Sequence, residues 1–296
     1  MGIKTEIPYC DSTVNEVVGC DGCELHRKGE PNHCYAAGLV GRYAGLPGWP
    51  PSFDTPTIIR GRLAKAIKWP DLTGTKRPDK PWLDGYPRVI FTCDLSDPFT
   101  ESIDPEAWLT PALPVMAESP HIYLLLTKRG RRMLEYFERH PIPLNVWPGV
   151  TVTGPETLRR IVYLLRIPGA SVQWASLEPL LGPVDLTDVR YQDEDCECSW
   201  DVLKGVHEIL NSNSLDAVSS AALGDNVPKL AGVVTGAESG PGARRRDREW
   251  VRRLRDDCRA AQVPFFDKQD NVGGRMVPLP ILDGLRNTGI PKWGAR

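Results

Sequence analysis

The chain has 296 residues, 41% of them hydrophobic, and 36 Lys and Arg against 38 Asp and Glu leave a net charge of −2. This length suits a single α/β domain over 1–296, and the apolar share supports a sizeable core. The balanced charge selects no class of partner. No run of about 18 apolar residues occurs, which argues against a membrane partner.

The first residues, "MGIKTEIPYC", lack a charged stretch followed by an apolar one, so secretion is not expected. Eight cysteines in such a chain point to a reducing, cytoplasmic compartment. There, clustered cysteines hold metal or do chemistry more often than they pair as disulfides.

A short strand is expected at "TVNEVVGC", running into "VVGCDGCELHRKGEPNHCYAAG", which holds Cys20, Cys23 and Cys34 in a polar loop. Residues 41–87 are rich in Pro, Gly and Trp, with one helix-like piece at "IIRGRLAKAIKW". Six β-rich segments follow: "RVIFTCDLSD" (88–97), "HIYLLLTKR" (121–129), "NVWPGVTVT" (145–153), "SVQWASLEP" (171–179), "LAGVVTGAES" (230–239) and "VPFFDKQ" (263–269). Each begins apolar and ends polar, as buried parallel strands do when their C-terminal ends open onto a site.

Helices are expected between them. Asp104 is a good N-cap with Pro105 after it. Thr153 and Glu156 form a capping box, with Pro168-Gly169 ending that run. In "DREWVRRLRDDCRAAQ", Trp250, Val251, Leu254, Cys258 and Ala261 share one face, with arginines around the rest. The alternation implies βαβ units closing a partial or complete (β/α) TIM-like barrel. A polar insertion is expected over 187–229. The C-terminal strand ends would then gather Cys20, Cys23, Cys34, Asp94, Ser96, Asp97, Thr127, Lys128, Arg129, Thr151, Thr153, Ser176, Glu178, Thr235, Glu238, Ser239, Lys268 and Gln269.

Two readings of the three cysteines stand side by side. A structural zinc site would take its fourth ligand from His26 or His33. Alternatively, three thiolates hold three irons of a 4Fe–4S cluster and leave one iron open to chelate a small molecule. The helix start at "CYAAGLVGRYAG" would then favour the cluster's negative charge through its amides.

The ordered motifs "STVNEVVGCDGC…CYA", "SDPF", "LLTKR", "NVWPGVTV", "SLEPLLGPVDL", "GAESGPGARR" and "VPFFDKQ" resemble a phage-enriched, largely uncharacterised group of radical-SAM-like proteins. The resemblance runs from about residue 9 to 285. It implies a radical-SAM-type barrel, a cluster on Cys20, Cys23 and Cys34, and S-adenosylmethionine (SAM) bound at the open iron. SAM would be cleaved to a 5′-deoxyadenosyl radical, with electrons from an external donor such as flavodoxin or ferredoxin. The common spacing in radical-SAM proteins is C-x3-C-x2-C; this chain has C-x2-C-x10-C.

By position, Ser96 and Asp97 would meet the amino group or ribose of SAM, and Lys128 or Arg129 its carboxylate. Glu178, Gly236, Glu238 and Ser239 would line the far side, with Gly236 permitting close backbone approach. For Asp97, Arg129 and Glu178 the alternative is an ion-pair network across the barrel mouth. No catalytic residue is assigned.

Arg244, Arg245 and Arg246 could meet the phosphates of a nucleic acid, whereas Arg252, Arg253 and Arg255 suit a solvated helix face with local salt bridges. Cys196 and Cys198 read as exposed loop cysteines, Cys258 and Cys93 as packing residues, and Cys10 as no ligand. His121, His140 and His207 receive no role. The resemblance implies, as substrate, an amino-acid adduct of thymidine in DNA, rearranged for hypermodification in a host cytoplasm. The alternatives are a tRNA- or peptide-modifying radical-SAM enzyme and a zinc-stabilised nucleic-acid-binding protein without catalysis.

Overall fold

The computed structural model describes residues 2–27, 33–193, 196–212, 227–240 and 242–292. In chain order the elements are β1 (Ser12–Val14), β2 (Val17–Val18), α1 (Tyr35–Tyr43), β3 (Thr57–Ile58), α2 (Arg62–Ala66), β4 (Val89–Thr92), α3 (Leu113–Glu118), β5 (Ile122–Thr127), α4 (Gly130–Phe137), β6 (Val146–Thr151), α5 (Arg159–Leu165), β7 (Trp174–Leu177), β8 (Val189–Gln192), β9 (Cys196–Asp201), β10 (Val206–Ser212), β11 (Gly232–Gly236), α6 (Arg248–Ala260), β12 (Phe265–Val272) and β13 (Arg275–Pro278). A two-stranded hairpin, Ile281–Leu282 with Leu285–Arg286, follows.

The principal sheet has eight strands in the order β1-β4-β5-β6-β7-β11-β12-β13. All neighbours are parallel except the last pair, in which β13 runs antiparallel to β12. The six expected central strands are therefore present, but the TIM-like barrel is not: the sheet is a mixed half-barrel that ends at β1, bridged by Gly2 at Thr13, and at β13. Closure fails for two reasons visible in the chain. "NVGGRM" turns β12 back on itself, with Gly273 at φ 59 and Gly274 at φ 80, the left-handed pair that a tight hairpin needs. Helices are also too few and short for regular β/α alternation. Among the described residues they run from five to nine residues, apart from the 13 of α6.

The crossover from β7 to β11 carries a separate antiparallel sheet, β10-β9-β8, within the expected insertion. This sheet is anchored rather than loose. Tyr191, Cys198, Trp200, Val202 and Leu203 are buried in the main core, so Cys198 is a packing residue and not an exposed one. The Cys196 side chain lies outside the described residues, as do 213–226.

Alternation along the strands divides the interior. The outward set, including Ile90, Tyr123, Leu125, Val150, Ala175 and Val233, packs under α3–α6. The inward set, Val89, Phe91, Ile122, Leu124, Trp147, Trp174, Val234 and Phe266, joins Tyr9, Cys10 and Leu83 in a second cluster. That cluster plugs the hollow of the half-barrel from below. Gly149 makes the plug possible, since a Cβ there would stand 2.6 Å from the Trp174 indole. A third cluster packs Ala36, Ala37 and Val40 of α1 on Val18, Cys20, Phe53 and Leu95.

Local start signals shift in instructive ways. Asp104 does cap, accepting from Glu106 N at 3.0 Å, but it begins a 3-10 turn at Pro105. The α-helix waits until Leu113: Pro111 disfavours helix in the residue before it, whereas Pro114 falls in the first turn, where proline is tolerated. The expected Thr153–Glu156 box is replaced by Thr157, whose hydroxyl accepts from Thr153 N (2.9 Å) and Gly154 N (3.2 Å). On α6, Val251, Leu254 and Cys258 are buried as the periodicity predicts. Among the described residues no helix is long and apolar enough to cross a membrane.

Candidate functional site

Above the aromatic plug, where the parallel strands end, lies a cavity of about 370 Å³, within the range of small-ligand pockets. Cys20, Cys23, Cys34, Ser96, Asp97, Lys128, Arg129, Glu178, Glu238 and Ser239 all line it, as do Asp94, Thr127, Thr151, Ser176, Lys268 and Gln269. Gly236 serves Glu178: a Cβ there would stand 3.0 Å from the Glu178 carboxyl carbon. Thr235 is buried, its hydroxyl bonded to Leu177 O, and it does not reach the cavity.

The loop bearing Cys20 and Cys23 is fastened at three points. Gly22, at φ 99, closes a turn in which Cys23 N donates to His26 O (2.9 Å) and His26 N to Cys23 O (3.0 Å); a side chain at Gly22 would collide with His26 O at 2.6 Å. Asp21 accepts from Thr100 Oγ1 (2.6 Å) and Ser102 N (2.8 Å). Glu24 takes both arms of Arg160 (2.8 and 2.9 Å) and the Thr153 hydroxyl (3.1 Å). Burial alone would raise the Glu24 pKa, but the Arg160 hydrogen bonds and charge outweigh it and hold the carboxyl down at about 2. Thr153 is thus bound to the cysteine loop and does not cap a helix.

Arg129 completes the fastening. It donates to Gly22 O at 2.8 Å and lies 3.7 Å from Cys20 Sγ. Asp97 aims it, 3.0 Å from its Nη1, while also accepting from Phe99 N (2.9 Å), Thr127 Oγ1 (2.6 Å) and Lys128 N (2.8 Å). Both Asp97 oxygens are therefore spent on the scaffold, and Ser96 Oγ donates to Val17 O at 2.8 Å. These two residues brace the site, and Ser96 Oγ keeps acceptor capacity on the cavity side. Arg129 and Glu178 likewise sit in ion pairs, Glu178 with Lys268.

Lys128 differs from its neighbour. Its ammonium has no hydrogen-bond partner among the described residues, and it lines the cavity. Burial opposes its charge, but Cys23, Cys34, Asp97 and Glu24 more than compensate and raise its pKa. Burial in turn pushes the Cys20 and Cys23 thiols up, against the lowering effect of Arg129 and Lys128 respectively.

Cys34 stands at the N-cap of α1, its carbonyl accepting from Gly38 N at 3.2 Å. None of the three cysteines is in a disulfide. His26 Nε2 is engaged by Asp54 at 2.7 Å, and His33 Nδ1 stands 3.9 Å from Glu238. No three His, Cys, Asp or Glu side chains among the described residues gather around one metal position.

The C-terminal arginines are largely consumed. Arg246 is buried, bonded to both Asp267 oxygens (2.7 and 3.1 Å) and to Asp270 (3.1 Å), so it cannot face phosphates. Arg244 donates from its backbone and side chain to Glu238, which neutralises the expected ligand contact of both. Arg245 is exposed. Arg252 pairs with Asp283, Arg253 with Asp185, and Arg255 with Asp256 and Asp283, in line with the salt-bridged face.

Sequence reasoning missed Asp21, Glu24, Thr100, Arg160 and Tyr9. Their partners are remote in sequence, and no local pattern marks them.

The fold and site define a half-barrel protein whose parallel strands end in a polar cavity walled by three cysteines. Residues 4–276 match the family described as "Protein of unknown function (DUF5131)", and the chain belongs to that family. No curated protein and no solved structure matches it.

Proposed function

We propose that this protein is a radical-SAM-type enzyme whose Cys20, Cys23 and Cys34 hold a 4Fe–4S cluster. The observation that carries this reading is one cavity lined by three cysteines outside any disulfide together with an ammonium, Lys128, that has no hydrogen-bond partner among the described residues. Each thiolate of a cluster binds a different iron. Three cysteines around one cavity would supply a cluster that keeps one iron open.

When bound, the cluster would supply the electron that releases a 5′-deoxyadenosyl radical from SAM. The chain's own residues set the stage. Arg129, aimed by Asp97, donates toward Cys20 Sγ and offsets thiolate charge. Lys128 is the group available for the SAM carboxylate, a charge-assisted contact favoured in a dry pocket. The aromatic plug closes the cavity from below and keeps water from the reacting carbon.

The substrate we propose is an amino-acid adduct of thymidine in DNA, modified in the host cytoplasm, with flavodoxin or ferredoxin as electron donor. With Arg244 and Arg246 paired internally, motif resemblance alone supports this substrate. Anaerobic reconstitution is expected to give a brown protein with about four irons and four sulfides per chain that forms 5′-deoxyadenosine from SAM; Cys34→Ala abolishes both. A colourless protein with a single zinc overturns the proposal in favour of a zinc-stabilised binding protein. SAM cleavage without change in thymidine-adduct DNA would redirect the substrate to tRNA or peptide.

A further inference from the structure

Tyr9 belongs to none of the motifs above. Its ring sits in the plug, edge-on to Phe91 (6.1 Å) and Phe266 (5.9 Å) and tilted against Trp174 (5.9 Å). Only 5% of the residue is exposed, and it lines the cavity. Yet its hydroxyl has no hydrogen-bond partner among the described residues. The ring is buried while the hydroxyl opens to the cavity, so it is available to a ligand there.

Beside it stands a pair that is neutral overall. Lys268 Nζ lies 6.0 Å from the Tyr9 ring centroid and is bonded to Glu178 Oε1. Their side chains are 16% and 15% exposed. The ammonium has three donors, of which Glu178 takes one, and the carboxylate keeps its Oε2 free. Glu178 would repel a lone anion here, and Lys268 a lone cation. A neutral group with a donor next to an acceptor satisfies both: its carbonyl accepts from Lys268 or Tyr9 while its N–H donates to Glu178. Tyr9 and Phe91 give this part of the cavity aromatic walls, which suit a planar ring.

We infer that Tyr9, Glu178 and Lys268 form a second subsite that takes the lactam edge, N–H beside C=O, of a planar heterocycle such as a pyrimidine base. The inference deepens the proposed function by placing the substrate's base; it rests on that reading only for the cavity's role, not for the cluster.

The test is calorimetric titration of the full chain as purified, with thymidine, N3-methylthymidine and N-acetylglycinamide. Saturable thymidine binding is expected, at least tenfold tighter than for the N3-methyl compound, which lacks the N–H. Tyr9→Phe should weaken thymidine about tenfold, the size of one neutral hydrogen bond, and Glu178→Gln at least as much; because Glu178→Gln also takes the carboxylate from Lys268, a melt must show that the variant is folded at the titration temperature. If Tyr9→Phe disturbs folding, Glu178→Gln alone decides. No thymidine binding, equal binding of the two nucleosides, or wild-type affinity in Glu178→Gln overturns the subsite. N-acetylglycinamide binding as tightly as thymidine overturns the heterocycle assignment. A protein that cleaves SAM but ignores thymidine keeps the cluster and loses the subsite. A colourless protein that discriminates the nucleosides does the reverse.

Discussion

Arg129 and Arg160, beside the cysteine loop, and the arginines from Arg244 to Arg255 use the same guanidinium chemistry to different ends. The first two are scattered in sequence and converge on one short loop, where they hold Gly22 and Glu24. The second group is a conspicuous run of seven, and five of its members are matched to carboxylates, Arg252 and Arg255 sharing Asp283. Density of charge along a chain therefore says little about availability. What matters is whether a carboxylate is buried with the guanidinium, because a buried ion must be paired whereas an exposed one need not be.

The comparison can be broken at its strongest point first. Arg246→Met leaves Asp267 and Asp270 without their cation, and we expect a loss of about 3–5 kcal/mol in unfolding free energy by urea titration. A loss no larger than that of a surface substitution would mean the pair is not buried in solution. Next comes the loop fastening. Arg160→Met strands Glu24 in a half-buried position and should cost about 1–3 kcal/mol. It should also lower iron retained after anaerobic reconstitution, while Arg253→Ala leaves iron unchanged. Equal iron in both variants would show that the loop needs no clamp.

Arg88 offers a third pattern, bonded to Pro70 O, Ile3 O and Ser12 Oγ instead of a carboxylate. It lies near His121, which is fully buried. Burial first, and the Arg88 charge second, lower the His121 pKa from its ordinary 6.5. Folding therefore favours the neutral imidazole, and the unfolded chain binds the extra proton as the pH falls. Stability should be full above 6.5 and decline as the pH drops through that value toward the folded pKa. Thermal melts between about pH 7.5 and pH 5 should show a smaller decline in His121→Leu than in the wild type. Parallel curves would remove His121 from the account.

The smallest effect is expected at Arg253, whose side chain is 60% exposed beside Asp185. Arg253→Ala should change stability by under about 1 kcal/mol, and less at high salt.

Much of the site's location was legible. Strands that open apolar and close polar placed Lys128, Glu178 and Lys268 around one cavity, because strand ends in a parallel sheet share one side. Cys20 and Cys23 were legible from their spacing. The roles were less so. Asp97 read as a ligand group, but Phe99 N, Thr127 and Lys128 N occupy it. Glu238 read the same way and belongs to Arg244. The Gly273-Gly274 hairpin lies past the last strand expected from the sequence, at 263–269, and so went unread.

The sequence by itself determined the central strands, the polar side on which they end and the three cysteines near the N-terminus, since these follow from short-range periodicity and side-chain chemistry. Only the tertiary structure decided that the sheet stays open, that Glu24 meets Arg160, that Arg246 is buried and that Tyr9 lines the cavity. Each of these depends on partners brought together across long stretches of chain. Hydrogen bonds and ion pairs act over a few ångströms of space, whatever the separation in sequence.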